Sequence, residues 1–110
     1  MHKAIYEELK EVAQRKSLIT YKELAGVVGL DWNKDYGKCR QIFSVLGAVS
    51  ISEVQQGHPM LSAIAVRQDT RIPGPGFFTL ARDLGRYQSG EDYSFWVAER
   101  DAAWNLWSSH

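Results

Sequence analysis

The strongest constraint on this chain is a punctuation mark near its start. In the stretch LITYKELAGVVG, Thr20 and Glu23 have the T-x-x-E spacing of a capping box. There the Thr hydroxyl accepts the Glu backbone N–H and the Glu carboxylate accepts that of the Thr. A helix has to begin at that point, so whatever precedes it is a separate element. Ile5, Leu9, Val12 and Ala13 recur at helical spacing, with Glu7, Glu8, Lys10, Glu11 and Arg15 between them, which predicts an amphipathic helix over residues 3–16. After the cap, Leu24, Val27 and Val28 form the expected buried face of a short second helix, and Gly29 its stop. LDWNKDY, residues 30–36, is a polar turn that keeps Trp32. A third helix is expected from about Gly37 to Leu46, with Cys39, Ile42, Phe43 and Leu46 inward and Lys38, Arg40 and Gln41 outward, ended by Gly47.

Beyond Gly47 the pattern changes. Val49–Val54 and Leu61–Val66 are short apolar runs joined by QQGHP and predict two strands in a hairpin. The loop Pro73, Gly74, Pro75, Gly76 leads into a short helix carrying Phe77, Leu80, Ala81 and Leu84, stopped by Gly85. A last helix runs from about Glu91 to Trp107, with Tyr93, Trp96, Val97, Arg100, Trp104 and Trp107 on one stripe. This order predicts an α+β, winged-helix-like fold: three helices, a two-stranded β-hairpin wing and two additional C-terminal helices. It is a single domain over 1–110, with a helix-turn-helix-like part at 1–48, the hairpin at 49–67 and the C-terminal helices at 76–107.

Composition sets the outer limits. With 110 residues and 45% hydrophobic content there is little room for two cores. Thirteen basic residues balance thirteen acidic ones, so any surface for phosphates has to be local. One Cys excludes an internal disulfide framework and a multi-Cys zinc site. The charged start MHKAIYEELKEV has no signal-peptide centre, and no apolar run approaches the roughly 20 residues that span a bilayer. The expectation is a cytoplasmic protein with no membrane contact.

The segments IYEELKEV, LITYKELAGVVG and CRQIFSVLG, spread from Ile5 to Leu46, resemble the DNA-binding domain of the O6-alkylguanine-DNA alkyltransferases and the alkyltransferase-like proteins. That family has a first helix, a T-Y-x-E-L/I/V-A segment opening the second, and an Arg near the start of its recognition helix. The resemblance implies that Tyr21 presses on the backbone of a flipped nucleotide and that Arg40 fills the vacated stack. Aligned on the terminal Val-Arg, the family's P-C-H-R and V-V-R fall on Leu61, Ser62, Ala63, Ile64, Ala65, Val66 and Arg67. The nucleophilic Cys is then Ser62 and its activating His is Ala63, so alkyl transfer is not available. The turn around Trp32 to Lys38 is also longer than the family's. GHPMLSAIAVRQDTRIPGPGFFTLARDLG, with a later FW-x-x-E, is similar to small bacterial proteins of unassigned role.

No other catalytic constellation emerges. Cys39 has Lys38 and Arg40 beside it, but helical spacing sets it among Ile42, Phe43 and Leu46, as a core thiol. His58, Ser62 and Asp69 supply the letters of a hydrolytic triad without a nucleophile elbow. His2, His58 and His110 have no metal-ligand spacing. Asp83, Glu91, Asp92, Glu99 and Asp101 read as a solvated acidic face, and PGPG lacks the phosphate-loop pattern. Neither enzyme activity nor a cofactor or metal is expected.

Two binding functions remain. Residues 1–50 hold eight Lys and Arg against six Asp and Glu, a balance of +2, while residues 51–110 hold five against seven, a balance of −2. Tyr21, Lys22, Lys34, Lys38 and Arg40 fall in or around the helix-turn-helix and predict contact with double-stranded DNA. The alternative is an immunity or antitoxin-type protein that neutralises a basic partner such as a nuclease toxin. It would use Asp92, Trp96, Glu99, Trp104 and Trp107 of the acidic, aromatic C-terminal helix.

Overall fold

The computed structural model describes residues 1–109. The capping box forms as its spacing requires. The Thr20 hydroxyl accepts the Glu23 N–H at 3.1 Å and the Glu23 carboxylate accepts the Thr20 N–H at 3.0 Å. Helix α2 (Tyr21–Val27) starts there and ends at Gly29, whose φ of 77° lets the Leu30 N–H return to the Ala25 carbonyl. Before the cap lie α1 (His2–Gln14), which buries Ile5, Leu9, Val12 and Ala13, and a two-residue strand β1 (Ile19–Thr20). After it come α3 (Tyr36–Gln55), a 3-10 turn (Leu61–Ile64), β2 (Ala65–Val66), α4 (Pro75–Asp83) and α5 (Asp92–Ser108).

The winged-helix expectation is overturned. Among the described residues there is no β-hairpin: Val49–Val54 lies in the second half of α3, and Leu61–Val66 is the 3-10 turn followed by β2. β2 pairs with β1 in parallel, Ile19 opposite Ala65 and Thr20 opposite Val66. Gly47 does not end the helix because the buried stripe Cys39, Ile42, Leu46, Val49, Ser50 and Glu53 keeps its helical period straight through it. A mid-helix glycine costs about 1 kcal/mol. Each fully buried Val, Leu or Ile returns about 1.5–3 kcal/mol, so continuation wins. The true stop is Gly57, with φ 80°, where the His58 N–H reaches the Glu53 carbonyl and the Gly57 N–H that of Val54. The third helix is therefore 20 residues long.

The buried side chains form two clusters. One joins α1, α2, α3 and the inner face of α5 through Ile5, Leu9, Leu24, Ile42 and Ala103, and the other gathers Phe77, Phe78, Ala81, Tyr87 and Trp96. Residues 60–66 run between them and belong to both: Leu61, Ile64 and Ala65 face the first, Met60, Ala63 and Val66 the second. All seven are buried, so their backbone groups need partners inside the protein. The Glu99 carboxylate accepts the Met60 N–H at 3.0 Å, Ser50 Oγ accepts the Ser62 N–H at 3.1 Å, and Trp96 Nε1 donates to the Ala63 carbonyl at 2.7 Å.

The two glycines separate a continuous α3 from a broken one. Gly47→Ala places a methyl 3.9 Å from Leu80, in ordinary contact, and is expected to raise stability by up to about 1 kcal/mol. Gly57→Ala should lower it by about 1–2 kcal/mol because the position is left-handed. Urea unfolding of both variants checks this, and destabilisation by Gly47→Ala comparable to that at Gly57 is the opposite result.

Candidate functional site

The longest α3 stripe outside the core builds one wall of a cavity. At about 100° per residue, Tyr36, Arg40, Phe43 and Gly47 fall within a narrow sector of the helix. Tyr36, Phe43 and Gly47 line a cavity of about 770 Å³, and Leu46 and Ser62 line it deeper in. Opposite stand Tyr21 at the start of α2 and the 74–77 segment that opens α4. The Tyr21 hydroxyl accepts the Gly74 N–H at 2.9 Å and ties the two sides together. Burial holds its phenol above the usual tyrosine range.

Five aromatic rings, those of Tyr21, Trp32, Tyr36, Phe43 and Phe77, stand in the wall. Tyr21 packs edge-on against Phe43 with centroids 5.0 Å apart, and Trp32 does the same against Tyr36 at 5.2 Å. Trp32 is held by a turn that caps itself: Asp31 Oδ1 accepts the N–H groups of Asn33 and Lys34 at 2.8 and 3.0 Å, and Asp35 Oδ2 accepts the Asp31 N–H at 2.9 Å. Those two N–H groups pull the Asp31 carboxyl below its usual range. A second cleft of about 530 Å³ adjoins the first and shares Tyr21, Trp32 and Arg67 with it, adding Lys22, Gln68 and Asp69. Arg67 grips Asp69 through two bonds of 3.0 and 2.8 Å.

Of the residues expected to face DNA, two line these clefts. Tyr21 lines both cavities, Lys22 lines the second, and Arg40 is exposed on the cavity stripe with no ion pair or hydrogen bond among the described residues. Lys34 is exposed on the capped turn. Lys38 does not join them: two residues from Arg40, it projects about 160° away around α3, across the buried Cys39 stripe.

Two of the residues proposed for a protein partner are internal and two more are half-buried. Trp96 and Glu99 are 3% and 5% exposed and bond to Ala63 and Met60, while Arg86 grips the Glu99 carboxylate at 2.6 and 2.8 Å. Trp104 and Trp107 pack against the first cluster, with Trp104 Nε1 bonded to the Ser17 carbonyl at 2.8 Å. Asp92 is exposed and takes the Tyr87 hydroxyl at 2.6 Å. The triad letters disperse as well, since Ser62 pairs with Ser50, His58 with Glu53 and Asp69 with Arg67. Cys39 is buried, and burial pushes its thiol up. Among the described residues no cluster of three His, Cys, Asp or Glu could hold a metal, and no helix is long and apolar enough to cross a membrane. His110 lies outside the described residues.

Sequence reading missed Phe43, expected inward but 41% exposed, together with Tyr36, Gly47 and Phe77. The signal that finds the first three is the spacing 36, 40, 43, 47, which appears only once α3 is allowed to pass Gly47.

The depressed Asp31 carboxyl stabilises its turn above the usual Asp value of 3.8, and this is lost as pH falls through the lower folded value. Trp32 fluorescence is expected to change on acidification below that point and to lose this step in Asp31→Ala. A step that persists in the variant would remove Asp31 as its cause. No family model matches the chain, and no characterised protein or solved structure is significantly similar to it.

Proposed function

We propose that this chain is a non-enzymatic module that binds double-stranded DNA through α2 and α3 and receives a displaced planar base in the aromatic cavity. The observation that carries this reading is the shared stripe: Arg40, exposed and without an ion pair or hydrogen bond among the described residues, continues the row of Tyr36, Phe43 and Gly47 that walls the cavity. A cation able to enter a base stack thus stands beside a ring-lined space of ligand size, within the roughly 300–1,000 Å³ usual for such sites. The resemblance to alkyltransferase DNA-binding domains supports the same arrangement, because it gives Tyr21 and Arg40 the roles of pressing on a flipped nucleotide and filling the gap. Lys22 lines the second cleft, where a backbone phosphate would pass, beside an Arg67 already paired with Asp69. Ser62 stands where that family has its nucleophile and is hydrogen-bonded to another serine rather than to a base, so binding without transfer is the chemistry on offer. Such a role belongs in the cytoplasm.

Few cations take part, so affinity should be modest and fall steeply with salt. A short duplex with 2-aminopurine opposite a mismatch, titrated at low salt, is expected to bind at micromolar protein and to change its fluorescence as the base leaves the stack. Arg40→Ala should weaken binding about tenfold and diminish that change, whereas Lys38→Ala should have the smaller effect. Absence of binding at micromolar protein would sink the proposal.

A further inference from the structure

The cavity wall changes character along α3. Tyr36 and Phe43 present rings at its open end, 50% and 41% exposed. Gly47, about 6 Å further along the helix than Phe43, is half-buried and presents only backbone, between the apolar Leu46 and Leu80. Neither the backbone nor the packing requires glycine there. The position lies in the middle of a helix and outside the left-handed region, where glycine weakens the helix relative to alanine. A Cβ built on it would meet one atom beyond its own helix backbone within 4 Å among the described residues, Leu80 Cδ2 at 3.9 Å, which is ordinary contact. The space that a methyl would take is therefore cavity space.

We propose that Gly47 is a specificity-determining position: its missing side chain leaves the inner end of the cavity open to the second ring of an unpaired purine. This rests on the reading of the cavity as the receptacle of a displaced base. A single-ring base is held among the rings of Tyr21, Trp32 and Phe43 at the outer end, short of Gly47. The second ring of a purine extends over the bare α3 backbone, in contact with Leu46 and Leu80. A methyl at position 47 intrudes on that second ring alone, and overfilling a packed space is unfavourable even by one carbon. The helix gives up some stability at Gly47, and the site gains length.

Competition between duplexes makes the test. A duplex with 2-aminopurine opposite a mismatch reports base capture by the full chain, and unlabelled duplexes with one adenine or one thymine opposite an abasic site displace it. Gly47→Ala is expected to lower the adenine-to-thymine affinity ratio about fivefold relative to the wild-type chain, with thymine binding little changed and resistance to urea no lower. Stacking differences between the two duplexes cancel in that comparison. A loss confined to the larger base in a fold that is not weakened is a change that a packing role would not produce. Gly37→Ala is the control: Gly37 is also in α3, with nothing within 4 Å of its built Cβ, and does not line the cavity. It should leave the ratio where it is. An unchanged ratio in Gly47→Ala, or an equal fall in Gly37→Ala, overturns the proposal while base capture itself stands. If 2-aminopurine does not respond to the wild-type chain, no base enters the cavity, and the reading and the proposal fall together.

Discussion

The structure depends on satisfying the backbone of one buried, irregular segment. Residues 60–66 pass between two side-chain clusters as a 3-10 turn and a two-residue strand, a conformation that pairs only part of its own amides, the Ala63 N–H with the Met60 carbonyl and the Ala65 N–H with that of Ser62. Each amide left unpaired in such a place costs about 1–3 kcal/mol, a large part of a small domain's net stability. Glu99 and Trp96 from α5, Ser50 from α3 and the β1 backbone meet that requirement. Ser50 and Glu99, both buried, are therefore partners of a backbone, placed where the neighbouring elements must dock.

That requirement also shapes the site. Ser50 has to face residue 62, so α3 must continue past Gly47 and lie against the 3-10 turn. Its adjoining stripe then contributes Tyr36, Phe43 and Gly47 to the wall of the cavity, and Arg40 falls on the same stripe by helical geometry alone. The Tyr21 bond to Gly74 closes the other side by joining α2 to the start of α4. α5 is oriented by Trp96 and Glu99, which turns Trp96 fully inward.

What could be read from the sequence was local. Thr20 and Glu23 specify a cap through neighbours three residues apart, and Gly29 and Gly85 stop their helices with positive φ as expected. Gly47 carries no such mark: a glycine is compatible with a helix interior and with a stop, and only the packing of Val49 and Glu53 on the far side decides. The run Leu61–Val66 is apolar enough for a strand, but period alone cannot separate a strand from another buried conformation. Resemblance singled out Tyr21 and Ser62, which line the cavity, but not the contacts that Ser62 and Gly74 make. Those two meet Ser50 and Tyr21 through contacts spanning 12 and 53 residues of chain.

The central claim is that the face joining Arg40 to the cavity behind Tyr21 is where DNA is engaged. Mapping amide shifts on the labelled protein with an unlabelled short duplex tests it directly. The account predicts the largest changes at Tyr21, Lys22, Trp32, Arg40, Gly47 and Gly74, with α5 unmoved. Changes concentrated on Asp92, Tyr93 and the exposed side of α5, with the cavity silent, would contradict it.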